Sequence, residues 1–281
     1  MLKLVKRNMI LSVVLILSIL LVACGAGSGS QTATSTQSPA ANQASESSAE
    51  TVELTISAGA SLTDALNEIQ TIYETKHNNI KLVFNFGASG ALQQQIEQGA
   101  PADLFISAAS KNMKDLVDKQ LIDSAEQHNL LSNELVVVVP SDSKLSIGNE
   151  QDLKKEEVKK IAIGIPESVP AGKYAQEAIT NANLWDGLQT KIVQAKDVRQ
   201  VLQYAETGNV DAGFVYKTDA LTSDKVKIAF TVDPDSYSPI HYPVGIVQAT
   251  KHAKEAEEFY AFLQTNEALD VFVKYGFSIP K

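Results

Sequence analysis

The strongest constraint on the fold is a repeated alternation of strand and helix patterns from residue 51 to the end of the chain. Val52–Gly59 (VELTISAG) alternates apolar and polar residues as a half-buried strand does, and an amphipathic helical pattern follows it. The same alternation recurs through residues 80–121, and Asn133–Pro140 (NELVVVVP) is a continuous apolar strand of the kind that is buried on both faces. Strands separated by helices predict an α/β fold with mainly parallel sheets that helices cover.

The alternation restarts near residue 160, which favours two lobes over one continuous sheet. A late strand pattern, Tyr242–Thr250, and two C-terminal helical patterns are assigned to the first lobe, because those helices need a sheet to cover. The expected limits are about residues 51–136 plus 245–281 for lobe 1 and about residues 137–244 for lobe 2.

The N-terminus has the pattern of a secretory signal. Three cations within the first seven residues precede the apolar run Met9–Ala23, which is short for a membrane-spanning helix. The run ends in LVAC, Leu21–Cys24, which resembles the lipobox of bacterial lipoproteins. Residues 1–23 are therefore predicted to be a signal peptide, and Cys24, the only cysteine of the chain, is predicted to be lipidated.

Residues 24–50 are predicted to be the lipidated cysteine and a flexible tether. From residue 25 onward the segment contains no aromatic residue and no Leu, Ile or Val, so it cannot bury enough apolar area to offset its ordering entropy. Function is expected in residues 51–281. The predicted location is the outer face of the cell membrane, and the long tether after a lipidated cysteine favours a Gram-positive surface.

Composition excludes several classes of function. A formal net charge of −9 argues against nucleic-acid binding, although local dipoles can still attract a small anion. The four histidines are isolated, and no cluster of Cys, His and carboxylates has the spacing of a metal site. No Walker or Rossmann glycine pattern is present, so neither a direct metal ligand nor a cofactor is predicted.

Two stretches of the first lobe have nearly the same pattern. In SAGASLTDAL and NFGASGAL a strand ends at a glycine, Ala-Ser follows, and a helix begins. Ser61 and Ser89 fall at predicted N-cap positions, where serine usually has a structural role. Two such serines in equivalent glycine-rich turns favour anion binding instead, because helix N-termini offer unpaired N–H groups and a positive dipole end.

A nucleophilic serine is the alternative from a different functional class. Gly87–Ala91 (GASGA) approaches the G-x-S-x-G elbow of serine hydrolases, with Ala91 in place of the last glycine. That reaction needs a base, and the only later histidines, His241 and His252, lie in no recognisable motif. The helix after Ser89 is also too polar for the buried helix behind an elbow, so an enzyme is not expected.

The second lobe offers matching donors. Ala171 follows a Pro-rich turn and Val198 falls in the first turn of a helix, so both could present a backbone N–H. Tyr216 ends a strand and could place its hydroxyl in a cleft. Arg199 is expected on a solvated helix face, and Asp64 is the one carboxylate close enough to matter for an anion.

These stretches together resemble the ModA-like molybdate-binding proteins of bacterial ABC transporters. The matching stretches are SAGASLTDAL, FNFGASGALQQQIEQGAPADLFISA, VPAGKYAQEAI, DVRQVLQYAETGNVDAGFVYKTDA and FYAFLQTNEALDVFVKYGF, within residues 52–277. The resemblance implies a two-lobed, type II periplasmic-binding-protein fold with a mixed, mainly parallel sheet in each lobe and the ligand in the cleft between them. It places the ligand on Ser61, Ser89, Ala171, Val198 and Tyr216.

The expected function is therefore capture of an oxyanion and not catalysis. Hydroxyls and amides donate hydrogen bonds without adding charge, which suits a tetrahedral dianion that carries no proton. The resemblance implies a monomeric lipoprotein that binds molybdate, or tungstate, and delivers it to the permease of an ABC transporter. A receptor for sulfate or another tetrahedral oxyanion remains the alternative among binding proteins.

Overall fold

The computed structural model describes residues 51–280. The predicted signal peptide, Cys24 and the predicted tether lie outside the described residues. No helix within residues 51–280 is both long and apolar enough to cross a membrane.

Ten strands and nine α-helices make up the described part of the chain. The strands are β1 (Val52–Gly59), β2 (Ile80–Gly87), β3 (Leu104–Ile106), β4 (Ile122–Ser132), β5 (Leu135–Pro140), β6 (Ile161–Gly164), β7 (Ile192–Ala195), β8 (Ala212–Tyr216), β9 (Val226–Thr231) and β10 (His241–Val247). The helices are α1 (Thr63–Lys76), α2 (Ser89–Glu97), α3 (Ser110–Asp118), α4 (Pro170–Asn181), α5 (Trp185–Leu188), α6 (Val198–Glu206), α7 (Lys217–Leu221), α8 (Ala253–Phe262) and α9 (Asn266–Lys274).

The strands form two separate five-stranded sheets. Their orders are β2-β1-β3-β10-β4 and β7-β6-β8-β5-β9. In the first sheet β1 pairs parallel with β2 and β3, whereas β10 pairs antiparallel with β3 and β4. In the second, β6 pairs parallel with β7 and β8, whereas β5 pairs antiparallel with β8 and β9. Both sheets are thus mixed, as predicted, and half of the strand pairings are parallel.

The chain passes between the two sheets twice. It leaves the first sheet after Ser132, enters the second at Leu135, and returns to the first at His241. We use lobe 1 for the part built on the first sheet and lobe 2 for the part built on the second. The predicted limits at residues 136 and 245 stay a prediction, and the sheets place the two passages at residues 133–134 and just before residue 241.

Two buried strands, β5 and β8, form the core of lobe 2. Every residue from Leu135 to Val139 is at most 1% exposed, and β8 is buried along its whole length. Burial of apolar side chains contributes about 25 cal/mol per Å² removed from water. The apolar run that predicted a strand buried on both faces does lie inside a sheet, between β8 and the edge strand β9.

Two edge strands have no counterpart in the sequence pattern. Most of β4 is exposed or half-buried, and β9 is buried only at its first residue. Each lies at the end of its sheet, where one side of the strand faces solvent. Edge strands need no apolar alternation, so hydrophobic periodicity does not reveal them.

Candidate functional site

All five residues predicted to bind the ligand line one narrow cavity between the lobes. Ser61, Ser89, Ala171, Val198 and Tyr216 are each at most 4% exposed. The cavity measures about 10 Å³, which is close to the least volume that holds one water molecule. A tetrahedral oxyanion is larger than water, so we expect the lobes to separate and close again around such a ligand.

A wider cavity of about 640 Å³ opens beside it. Both lobes line this wider space, and it shares Val169 and Pro170 with the narrow one. Its lining includes charged side chains of both signs, among them Lys111, Asp115 and Glu177. The matched donors lie in the narrow cavity, so that cavity is the candidate site.

Ser89 is the first residue of α2 and does not cap it. The N-cap residue is Ala88, and no side chain caps this helix end, so the predicted N-cap position of Ser89 is wrong by one residue. Its Oγ instead accepts a hydrogen bond of 2.9 Å from the N–H of Ala108, two residues after the end of β3. Because the protein supplies this donor, the hydroxyl hydrogen of Ser89 is available to a ligand.

Ser61 lies in a short 3₁₀ turn, Ala60–Leu62, between β1 and α1. It also makes no capping bond, because its Oγ lies 2.9 Å from the hydroxyl of Tyr242. The turn forms because the chain must reverse at the carboxyl end of β1, next to the end of β2 that carries Ser89. Parallel pairing of β1 and β2 thus brings both serines to the same sheet edge.

Two residues of lobe 2, Ala171 and Val198, line the same cavity and carry free backbone N–H groups. Ala171 is the second residue of α4, after Pro170, which has no N–H to offer. Val198 is the first residue of α6, where the N-cap side chain of Asp197 accepts from Gln200 and leaves the N–H of Val198 free. Within residues 51–280 neither amide finds an acceptor, as expected for the first turn of a helix.

Tyr216 completes the set of donors. Its hydroxyl lies 3.5 Å from the carbonyl oxygen of Ala108, as does that of Tyr174, and both distances are at the limit for a hydrogen bond. Burial raises the pKa of Tyr216 well above its ordinary value, so the hydroxyl keeps its proton. A weakly held, protonated hydroxyl can turn toward a better acceptor.

Charged groups meet next to the cavity but do not line it. Arg199 was expected on a solvated helix face, and this is wrong: its Nη2 lies 2.5 Å from Asp64 Oδ2 in lobe 1. Its Nε lies 2.8 Å from Asp219 Oδ1, although the angle is not that of an aligned hydrogen bond. Asp64 therefore pairs with Arg199, and among the described residues none that lines the narrow cavity is charged.

Asp219 is a buried carboxylate that no motif of the sequence singles out. It is fully buried in α7, and its Oδ2 accepts from the N–H of Tyr216. Burial raises the pKa of Asp219 to about 6, although Arg199 beside it favours the charged form. Asp219 lies three residues after the end of β8, and this position near the carboxyl end of a strand is the only local sign of a functional role.

Comparison with known proteins assigns the family. The family model of bacterial extracellular solute-binding proteins matches residues 54–278. A putative ABC transporter substrate-binding lipoprotein, YvgL of Bacillus subtilis, is 55% identical over 84% of this chain and 90% of its own. The molybdate-binding protein ModA of Escherichia coli is 39% identical over 81% of this chain and 89% of its own.

Solved structures agree with this assignment. The substrate binding domain of a putative molybdenum ABC transporter from Clostridium difficile is 46% identical, with a TM-score of 0.64 over 82% of this chain and 99% of that one. The periplasmic molybdate-binding protein of Azotobacter vinelandii has a TM-score of 0.74 over 81% of this chain and all of that one, at 24% identity, and supports the fold alone.

The chain belongs to the family of bacterial extracellular solute-binding proteins. Within it the chain is similar to the ModA proteins, which confirms both the resemblance and the type II periplasmic-binding-protein fold. Proteins of this family bind solutes and catalyse no reaction, so the serine-hydrolase alternative is excluded.

Proposed function

We propose that this protein binds molybdate, or tungstate, between its lobes and delivers it to the permease of an ABC transporter. The single observation that carries the proposal is a narrow cavity without charged lining residues, which two serines, the first-turn residues of two helices and one tyrosine line together. The relatives from Escherichia coli and Haemophilus influenzae are both molybdate-binding proteins, which supports molybdate as the ligand. The five residues predicted from sequence are the proposed ligand contacts.

The chemistry of the cavity suits an anion that carries no proton. Helices α2, α4 and α6 begin at the cavity, and helix N-termini favour negative charge by roughly 0.3–1 kcal/mol each. A protonated anion such as hydrogen phosphate must also donate a hydrogen bond, and a buried donor without an acceptor costs about 1–3 kcal/mol. A cavity that lacks carboxylates therefore disfavours phosphate.

The membrane attachment is part of the proposal. A lipidated Cys24 followed by the tether would hold the binding domain at the outer face of the membrane, next to the permease. The relative from Bacillus subtilis bears the name of a lipoprotein, which supports this arrangement. Several acyl chains on one cysteine give stable anchoring, because each buried CH₂ contributes about 0.8 kcal/mol. We propose that the binding domain acts as a monomer.

Calorimetric titration of the purified protein with molybdate, tungstate, sulfate and hydrogen phosphate tests the proposal. We expect tight binding of the first two, weaker binding of sulfate and the weakest binding of phosphate. Sulfate is the second candidate ligand, because it is also a tetrahedral dianion that only accepts hydrogen bonds. Sulfate binding tighter than molybdate would assign the protein to that ligand, and no binding of any of the four would refute an oxyanion receptor.

Ser89→Ala tests the proposed contact directly. Loss of a hydroxyl that donates to a buried anion should weaken molybdate binding by about 1–3 kcal/mol. Ser110→Ala is the matched control, because Ser110 is also the first residue of a helix but is exposed and lies outside the narrow cavity. Thermal denaturation should accompany the titration, since the N–H of Ala108 loses its acceptor in Ser89→Ala. Equal affinity of both variants would remove Ser89 from the site.

A further inference from the structure

A chain of side-chain hydrogen bonds, buried except at the half-buried Asn133, leads from lobe 2 to Ser61. Asn133 Nδ2 lies 2.9 Å from Thr218 Oγ1 and 3.2 Å from the hydroxyl of Tyr242, which lies 2.9 Å from Ser61 Oγ. Asn133 sits in the first passage between the sheets, and Tyr242 is the second residue of the strand that begins the return. The chain of bonds therefore runs through both points at which the two lobes are connected.

The direction of each hydrogen bond follows from the chemistry of the groups. Asn133 Oδ1 accepts from the N–H of Glu134 at 2.9 Å, which fixes the orientation of the amide and turns its NH₂ group toward Tyr242. That NH₂ group can only donate, so the oxygen of Tyr242 accepts from it. Tyr242 is fully buried, and its hydroxyl makes two side-chain hydrogen bonds, one with Asn133, which donates, and one with Ser61 Oγ at 2.9 Å, which can accept.

A buried hydroxyl that leaves its hydrogen unpaired is costly, so Tyr242 donates to Ser61. Burial also keeps this hydroxyl protonated, because it raises the pKa of Tyr242 well above its ordinary value. The hydroxyl hydrogen of Ser61 cannot then point at Tyr242, because the hydrogen of Tyr242 already lies between the two oxygens. It turns instead toward the cavity, which Ser61 lines.

We propose that Tyr242 is a positioning residue that makes Ser61 a hydrogen-bond donor to the ligand and so selects oxyanions that carry no proton. The proposal rests on the proposed oxyanion-binding function and extends it to a residue that does not line the cavity. Ser89 has the same arrangement, with the N–H of Ala108 in the place of the Tyr242 hydroxyl. Each serine thus receives one hydrogen bond from the protein and gives one to the ligand.

Selectivity measured on Tyr242→Phe tests the proposal. Without the tyrosine hydroxyl, Ser61 can rotate and accept a hydrogen bond from a protonated anion. Titrations with molybdate and hydrogen phosphate at pH 8, where both are dianions, should give a molybdate affinity about tenfold lower. The phosphate affinity should be unchanged or higher, so the ratio of the two affinities should fall by about tenfold or more. Tyr260→Phe is the control, since it also removes one tyrosine hydrogen bond, to His128, but lies outside the cavity.

Asn133→Asp provides a second, independent variant. The carboxylate would accept from Tyr242, which would then accept from Ser61 and draw the serine hydrogen away from the cavity. The added charge repels both dianions alike, so their affinity ratio isolates the change in hydrogen-bond direction. We expect this ratio to fall at least as far as in Tyr242→Phe.

The possible outcomes are distinct. An unchanged affinity ratio in both variants, with molybdate still bound, would overturn the role of Tyr242 and leave the proposed function intact. Equal losses for both anions would assign Tyr242 a general structural role and would also overturn the proposal. Wild-type protein that binds neither anion would refute the proposed function, and the inference about Tyr242 with it.

Discussion

Two direct contacts between the lobes differ in chemical kind. In the glycine contact, the N–H of Gly90 in α2 donates to the carbonyl oxygen of Ser168 at 3.0 Å, and no charge is involved. In the arginine contact, Arg199 of lobe 2 lies between Asp64 of lobe 1 and the buried Asp219 of its own lobe. One contact is made by backbone atoms alone, and the other by three ionisable side chains.

Because of this difference, we expect the two contacts to affect different properties: the arginine contact the stability of the fold, and the glycine contact the closure of the lobes. Asp219 and Arg199 belong to the same lobe, so we expect their pairing to stabilise lobe 2 whether or not the lobes meet. The glycine contact exists only when the lobes are together, because its two partners belong to different sheets. We therefore expect changes at the arginine contact to alter the free energy of unfolding and changes at the glycine contact to alter ligand affinity.

Arg199→Met should have the largest effect. It leaves Asp219 buried without its cation, and breaking a buried ion pair from one side typically costs 3–5 kcal/mol. The free energy of unfolding from urea denaturation at pH 7 should fall by about that amount. Lys173→Met is the control, because the exposed Lys173 pairs with the half-buried Glu177 one turn later on α4, and such helix pairs are worth about 0.3–0.5 kcal/mol. A similar small loss in both variants would contradict the stabilising role of Arg199.

The pH dependence of stability should reveal Asp219 itself. Its pKa is about 6 in the folded protein, above the ordinary 3.8, so the folded state holds a proton that the unfolded state has released between these values. The carboxyl therefore destabilises the fold as pH rises from about 4 to 6, by roughly 3 kcal/mol in total.

Asp219→Asn lacks this titration. The free energy of unfolding of the variant, minus that of the wild type, should increase by about 3 kcal/mol between pH 4 and pH 7. Denaturation at both pH values measures it, and the subtraction cancels the other carboxylates, several of which shift in the opposite direction. A difference that stays constant with pH would mean that Asp219 is charged throughout the range.

Gly90→Ala should weaken binding without weakening the fold. A Cβ at Gly90 would lie 2.7 Å from the carbonyl oxygen and 2.9 Å from the Cα of Ser168, which are backbone atoms that cannot move independently. Overpacking of this kind costs about 1–3 kcal/mol, and here only the closed lobes bear it. Molybdate affinity should fall by roughly 5- to 150-fold, while alanine in a helix should leave the unfolding free energy equal or higher.

Gly187→Ala is the matched control for this substitution. Gly187 also lies in a helix, and a Cβ there would meet nothing within 4 Å. Its ligand affinity should equal that of the wild type. If Gly90→Ala also binds as the wild type does, the glycine contact is not part of the ligand-bound state.

Sequence reasoning succeeded where local pattern determines structure. The alternating residues of Val52–Gly59 predicted β1 with its observed limits, and the near-repeat around Ser61 and Ser89 predicted two turns that do meet at one cavity. Parallel strands carry their carboxyl ends to one edge, so a local pattern was enough to place these turns together. Their role in binding stays a prediction.

The same reasoning failed where a role depends on contacts distant in the chain. Tyr242 reaches Ser61 across 181 positions and Arg199 reaches Asp64 across 135, and no periodicity encodes such a pairing. The edge strands β4 and β9 were missed because one side of each faces solvent and their residues are largely polar. The sequence pattern predicts a solvated cation at Arg199, because the two carboxylates that pair with it lie in other helices and leave no sign in its own helix.

Asp64→Asn should have the smallest effect and the clearest dependence on salt. The Asp64 side chain is 39% exposed, and pairs at such positions contribute about 0–1 kcal/mol. Asp64 does not line the narrow cavity, so the main loss is one attraction between the lobes. Molybdate affinity should fall by less than about fivefold at low salt, and the variant should match the wild type at high salt, where exposed charges are screened. A loss that persists at high salt would show that the Asp64–Arg199 pair behaves as a buried ion pair. The contrast between the partly exposed Asp64 and the buried Asp219, the two carboxylates beside Arg199, would then be wrong.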